Sequence, residues 1–271
     1  MISGLKNGLA ALLSTVPLCN LSVLLSSYMS VFLLVFSLSA AAQTPQKNND
    51  LLIAAAADLT GLEQPVTEIF QRITGRKAKF VLGASGMLAR QIEQGAPYDV
   101  FLSANERFVA DLAKSGRLAP DSVRVYAYGR LGLWSRDGAV MRLEQLRDRR
   151  VVHLAIANPS SAPYGAAARQ LLEDAGLWKA VESKVVYGEN VRQALQFAES
   201  GNADAAITAW SLVFERGGIL LPDSGHSPIR QAGAVVAGRP DEAAARRFLE
   251  LLGSDEGRRI LSAHGLGLPE R

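Results

Sequence analysis

Apolar residues fall along this chain in two alternating rhythms: short unbroken runs, and longer stretches in which they return every three or four positions. The run 51–57 ends at Asp58, after which Leu62, Val66, Ile69, Phe70 and Ile73 repeat at helical spacing up to Gly75. A second run, 77–82, stops at Gly83. Leu88 and Ile92 then open a helical stretch closed by Gly95-Ala96-Pro97, and Val100-Phe101-Leu102 reads as the next buried strand. A helix over 105–115, ended by Gly116, completes the pattern. Strand, helix and strand in such short order predict a parallel α/β unit.

The pattern changes at 123–135, an extended run interrupted by Gly129 and Gly132 and too long for one buried strand. It predicts a crossover into a second lobe with strands at 153–157, 184–187 and 204–208, and helices beginning near Pro163 and Asn190. A loop rich in Gly, Pro and Ser, 217–228, leads to a second extended run at 229–236. Only helical patterns follow, at 240–252 and 254–263. Two extended crossings about a hundred residues apart predict that the chain leaves its first lobe and returns to it: residues 51–127 and 233–271 form lobe 1, and 128–232 form lobe 2. Two lobes with a double hinge close on a ligand in the cleft between them.

The first 42 residues stand outside this pattern. They are apolar, carry one charge (Lys6), and end Ser39-Ala40-Ala41-Ala42-Gln43, which predicts an export signal peptide cut after Ala42. Residues 43–50 then read as a flexible lead-in. The length of the leader leaves two alternatives open: Met29 as the true start, or an uncleaved leader kept as a membrane anchor. Val16-Pro17-Leu18 ahead of Cys19 lacks the small residues that lipid attachment favours. Export removes the only cysteine, so the mature chain has no disulfide. A domain of about 220 residues buries enough apolar surface to do without one. The near balance of 29 basic and 26 acidic residues, without a basic cluster, speaks against nucleic acid as a partner. The densest charge run, Arg147-Asp148-Arg149-Arg150, reads as a solvated turn.

Four places share one local geometry, in which small or polar residues end a strand and a helix begins: Ala57-Asp58, Ala84-Ser85-Gly86, Ala162-Pro163-Tyr164-Gly165 and Glu189-Asn190-Val191. In an open α/β sheet these edges face the ligand crevice, and two come from each predicted lobe. Backbone N–H groups at helix starts, with the Ser85 hydroxyl and that of Tyr164, make a cage of neutral donors suited to a desolvated oxyanion. Each residue also has a plainer reading: Ser85 and Asp58 as helix caps, Tyr164 as a surface residue, Val191 as core with only its amide available, and Arg192 as part of a solvated face. A serine hydrolase fits less well, because Gly-Ala-Ser85-Gly-Met lacks the spacing of a nucleophile elbow. His153, His226 and His264 show no metal-ligand spacing. No catalytic residue and no cofactor is expected.

The segments A-A-A-A-D-L, G-A-S-G-M-L-A-R-Q-I-E-Q-G-A-P-Y-D-V-F-L-S-A, N-P-S-S-A-P-Y-G and G-E-N-V-R-Q-A-L, followed by G-N-A-D-A-A-I-T, together resemble the periplasmic molybdate-binding proteins of molybdate ABC importers. The resemblance runs from about Leu51 to Pro269. It implies an α/β type II periplasmic-binding-protein fold, a periplasmic monomer, and capture of molybdate or tungstate, as an oxyanion with no direct protein–metal ligands, for an inner-membrane ABC permease. Sulfate, phosphate or thiosulfate is the rival ligand. The resemblance also implies an oxyanion site formed by Ala57, Asp58, Ser85, Tyr164 and Val191. Asp58 departs from it, since serine is frequent in the family there and a carboxylate repels a dianion. Either its side chain turns away while its amide or that of Ala57 donates, or the ligand preference differs. A tyrosine present in some members falls on Ala209, and Tyr164 is the residue placed to replace its hydroxyl.

Overall fold

The computed structural model describes residues 50–270; the leader, residues 43–49 of the lead-in and Arg271 lie outside them. In the first sheet β1 (Leu51–Ala56) lies between β2 (Ala78–Gly83) and β3 (Val100–Ser103) and runs parallel to both. The far edge is β4 (Arg124–Gly129), joined to β3 through the late strand β10 (Ile229–Val235), which is antiparallel to each neighbour. In the second sheet β6 (Leu154–Ala157) lies between parallel partners β7 (Val185–Gly188) and β8 (Ala205–Ala209). There β5 (Leu131–Trp134) runs antiparallel between β8 and the short β9 (Ile219–Leu220). The extended run 123–135 is therefore two strands of different sheets, with Arg130 between them, and the chain returns through 221–228.

Burial explains the strand sequences. Five of the six β1 residues are buried, because helices cover both faces of this central strand, and its sequence is an unbroken apolar run. The edge strand β2 alternates instead, exposing Lys79 and Val81. Helices α1 (Glu63–Thr74), α2 (Ser85–Glu93) and α3 (Glu106–Lys114) follow the strands of the first sheet. Those following strands of the second are α4 (Pro163–Asp174) with the short α5 (Trp178–Val181), and α6 (Val191–Ser200). The last helices, α7 (Glu242–Gly253) and α8 (Asp255–Ala263), pack back on the first lobe, where the Phe248 ring meets Phe70 edge-on at 5.4 Å. Each fully buried Leu, Ile or Phe here contributes about 1.5–3 kcal/mol.

One cluster fills each face of the first sheet, around Phe70, Leu102 and Phe248 on one side and Leu88, Phe101 and Val109 on the other. The core of the second lobe continues across the lobe boundary to Ala56, Ala57, Ala84 and Ala104. These inner positions carry only a methyl group, so the two backbones approach closely where the strand ends meet.

Candidate functional site

At that meeting point three helix starts and one tight turn surround a small pocket with a cavity volume of about 10 Å³. Its walls are Ala56, Ala57, Asp58, Gly83, Ala84, Ser85, Ala104, Ala162, Pro163, Tyr164, Asn190 and Val191. All five residues singled out from the sequence therefore lie on one pocket, and no Lys, Arg or His is among its walls.

At each helix start, local bonding satisfies most of the neighbouring amides and leaves at least one without an acceptor. In α2 the Gly86 amide donates across the lobe boundary to the Ser161 carbonyl at 2.9 Å. A Cβ at position 86 would lie 2.9 Å from that same oxygen, so glycine is required for this approach. The Ser85 amide has no acceptor among the described residues. Its Oγ accepts the Ala104 N–H at 2.9 Å, which fixes the oxygen and leaves the hydroxyl proton for the pocket. In α4, Pro163 has no N–H and the Gly165 and Ala166 amides go to the Ala162 carbonyl, so the Tyr164 amide remains. In α6 the cap residue Asn190 accepts from the Arg192 and Gln193 amides at 3.0 and 3.1 Å, and the Val191 amide remains. The Thr208 hydroxyl donates to the Val191 carbonyl at 2.9 Å and holds that turn against β8. Three helix N-termini, each with a spare donor and the positive end of its dipole, thus converge on one volume.

Asp58 is the charged exception. It follows β1 in a short 3-10 turn (Ala57–Leu59) and is fully buried. Its Oδ2 accepts from the Tyr164 hydroxyl at 2.9 Å and from Gln231 Nε2 at 2.5 Å, while Oδ1 has no partner among the described residues. Gln231 Nε2 also donates to the Tyr164 oxygen at 3.0 Å. Burial pushes the Asp58 carboxyl from its ordinary 3.8 up to about 6, against the opposing pull of the Gln231 and Tyr164 hydrogen bonds. Burial, and after it the Asp58 charge, holds the phenols of Tyr164 and Tyr126 well above their usual range, so both stay neutral. The Tyr164 hydroxyl proton is therefore committed to Asp58 and not to a ligand, contrary to the expectation that it replaces a missing tyrosine at Ala209. Its ring is seated against Gly129, where a Cβ would fall 2.2 Å from the phenolic oxygen.

Several further residues lie away from this pocket. Arg192 pairs with Glu199, which also binds Arg216, and both arginines line a separate pocket with Thr60, Ser211 and His264. Asp99 accepts the Leu52 amide and pairs with Arg239, and Asp204 accepts the Val152 and His153 amides. Ala209 is buried at the end of β8. Among the described residues, no group of three or more His, Cys, Asp or Glu is arranged to hold a metal, and no helix is long and apolar enough to cross a membrane. Sequence reasoning missed Gln231, Tyr126 and Ser211, whose hydroxyl donates to the Asp58 carbonyl at 2.7 Å.

Comparison with known proteins agrees with this architecture. A family model described as bacterial extracellular solute-binding protein matches residues 51–267. The molybdate-binding protein ModA of Rhodobacter capsulatus is 33% identical over 231 residues, 82% of this chain and 89% of that protein. Its counterpart in Azotobacter vinelandii is 34% identical over 232 residues, 81% of this chain and 90% of that protein. Among solved structures, the Azotobacter vinelandii periplasmic molybdate-binding protein superposes with a TM-score of 0.77 at 29% identity, covering 81% of this chain and all of that one. The two-lobed arrangement is the type II periplasmic-binding-protein fold.

Proposed function

The chain belongs to the bacterial extracellular solute-binding proteins, and on that premise we propose that it captures molybdate or tungstate between its lobes and delivers it to an inner-membrane ABC permease. The relatives named above are molybdate-binding proteins, and no chemistry on the ligand is assigned to this chain. The observation that carries the reading is the set of unpartnered neutral donors: the Ser85 hydroxyl and the amides of Ser85, Tyr164 and Val191, around one buried pocket. A tetrahedral dianion taken from water needs its oxygens bonded again, and fixed donors at helix starts do this without a counter-charge. Each hydrogen bond to a charged oxygen contributes about 1.5–3 kcal/mol.

Capture and closure are one event. Ser85 comes from lobe 1, Tyr164 and Val191 from lobe 2, so only the closed form presents all the donors and a ligand shifts the population toward it. The closed arrangement also forms Gly86 to Ser161, Tyr164 to Asp58 and Ser211 to Asp58 across the boundary. The permease then meets a protein whose shape reports its load. In this reading the protein acts outside the cytoplasm, as a monomer.

Calorimetry of the purified protein against molybdate, tungstate, sulfate and phosphate tests this. Molybdate and tungstate are expected to bind far more tightly than the other two. Sulfate binding as tightly as molybdate would overturn the assignment in favour of a general oxyanion carrier.

A further inference from the structure

Asp58 does not fit a cage made of neutral donors. It lines the pocket, is wholly buried, and keeps one carboxylate oxygen, Oδ1, without a partner while Oδ2 takes two donors. An ionised Oδ1 beside a bound dianion would place like charges together in a site with no lysine, arginine or histidine to offset them. The groups facing Asp58 are Tyr164 from α4, Tyr126 from β4, Gln231 from β10 and the Ser211 hydroxyl on its carbonyl, and all of them are uncharged. No cationic side chain lines the pocket, and Arg192, on the helix packed against the Asp58 turn, is taken up by Glu199.

Resting on the oxyanion reading above, we propose that Asp58 carries a proton on Oδ1 in the loaded protein and donates it to the bound oxyanion, so that each dianion enters together with one proton. The residue is then a specificity determinant. Oδ2 stays an acceptor for Tyr164 and Gln231, which leaves Oδ1 as the oxygen that receives the proton. One group supplies an extra donor to the ligand and keeps the interlobe bond to Tyr164 intact. The proton comes from solvent as the lobes close, and it returns when they open. A ligand that is fully deprotonated near neutrality, as molybdate is, gains a donor. A hydrogen-bearing oxyanion such as phosphate would instead need Asp58 ionised as an acceptor.

The test is calorimetry with sodium molybdate between pH 6 and 8.5, each point taken in two buffers of different ionisation heat, on the wild-type protein and on Asp58→Asn. The carboxyl of the ligand-free closed form titrates at about 6, and opening removes the burial that raises it, so linkage of one proton predicts that the wild-type Kd rises about tenfold per pH unit above 6, with uptake approaching one proton per ion. Asp58→Asn, whose amide already carries a donor, is expected to bind with no pH slope and no proton uptake. Wild-type binding that stays tight and flat across the range with zero uptake overturns the proposal and leaves the oxyanion reading standing. Phosphate binding that is tighter than molybdate and strengthens above pH 6 also overturns it, by making Asp58 an acceptor. If neither protein binds molybdate even at pH 6, the oxyanion reading fails and takes this one with it. The wild-type proton count decides the matter even if the variant does not fold.

Discussion

Replacing Ser85 by alanine separates what this residue does for the ligand from what it does for the fold. Its Oγ accepts the Ala104 amide at 2.9 Å, so the oxygen is held in place and the hydroxyl proton is left for the pocket. The side chain is 1% exposed, and no water replaces the lost oxygen without opening the site. For binding, the loss is one hydrogen bond to a charged oxygen, about 1.5–3 kcal/mol, or roughly 10- to 150-fold in Kd. For the empty protein, the loss is a buried Ala104 N–H without an acceptor, about 1–3 kcal/mol. In a domain of this size that corresponds to a fall in melting temperature of roughly 2–12 °C. Molybdate calorimetry at pH 6, paired with thermal melts of the unliganded protein, measures both. A variant that melts lower but binds within twofold of wild type would show that Ser85 only braces the Ala104 turn, and the donor cage would lose its first member.

Two further substitutions probe the Asp58 network. Gly129→Ala puts a Cβ 2.2 Å from the Tyr164 hydroxyl oxygen and 2.9 Å from an Ile229 methyl; the overpacking is expected to cost about 1–3 kcal/mol in urea unfolding, and an unchanged midpoint would mean the Tyr164 ring is not seated there. Asp58→Asn tests the pH dependence of stability. The folded carboxyl titrates at about 6 against an ordinary 3.8, so its favourable contribution is full below 3.8 and lost as the pH rises through 6, a span of about 3 kcal/mol. The variant should therefore be more stable than wild type at pH 7.5, with the difference vanishing near pH 4. A wild-type protein that is the more stable at pH 7.5 contradicts the burial argument.

What the sequence revealed and what it hid divide along a physical line. Ser85, Tyr164 and Val191 were legible because a helix start announces itself locally, through a glycine or proline, a short polar residue and the onset of helical spacing. Asn190 in particular reads as a cap, and its side chain does accept two amides of its own helix. The partners of Asp58 were not legible. Gln231 lies 173 residues away in a strand, and nothing local distinguishes it from any other strand glutamine. Its role depends on β10 returning beside β4, where a register shift at Gln231 and Ala232 interrupts the ladder. Gly129 looked like a simple interruption of an extended run. Its reason is the Tyr164 ring, which arrives from the other lobe. Periodicity likewise could not divide the run 123–135, because both of its strands are extended and only the two sheets assign them to different lobes.

In the proposed function an oxyanion sits among Ser85, Tyr164 and Val191. The most direct measurement is a crystal structure of the protein grown with sodium tungstate, in which anomalous scattering locates the metal without reference to the chain. One strong peak is expected in that pocket, with oxygens in hydrogen-bonding reach of Ser85 Oγ and of the Tyr164 and Val191 amides. A peak seated instead beside Arg192 and Arg216, or an empty pocket at saturating tungstate, would contradict it.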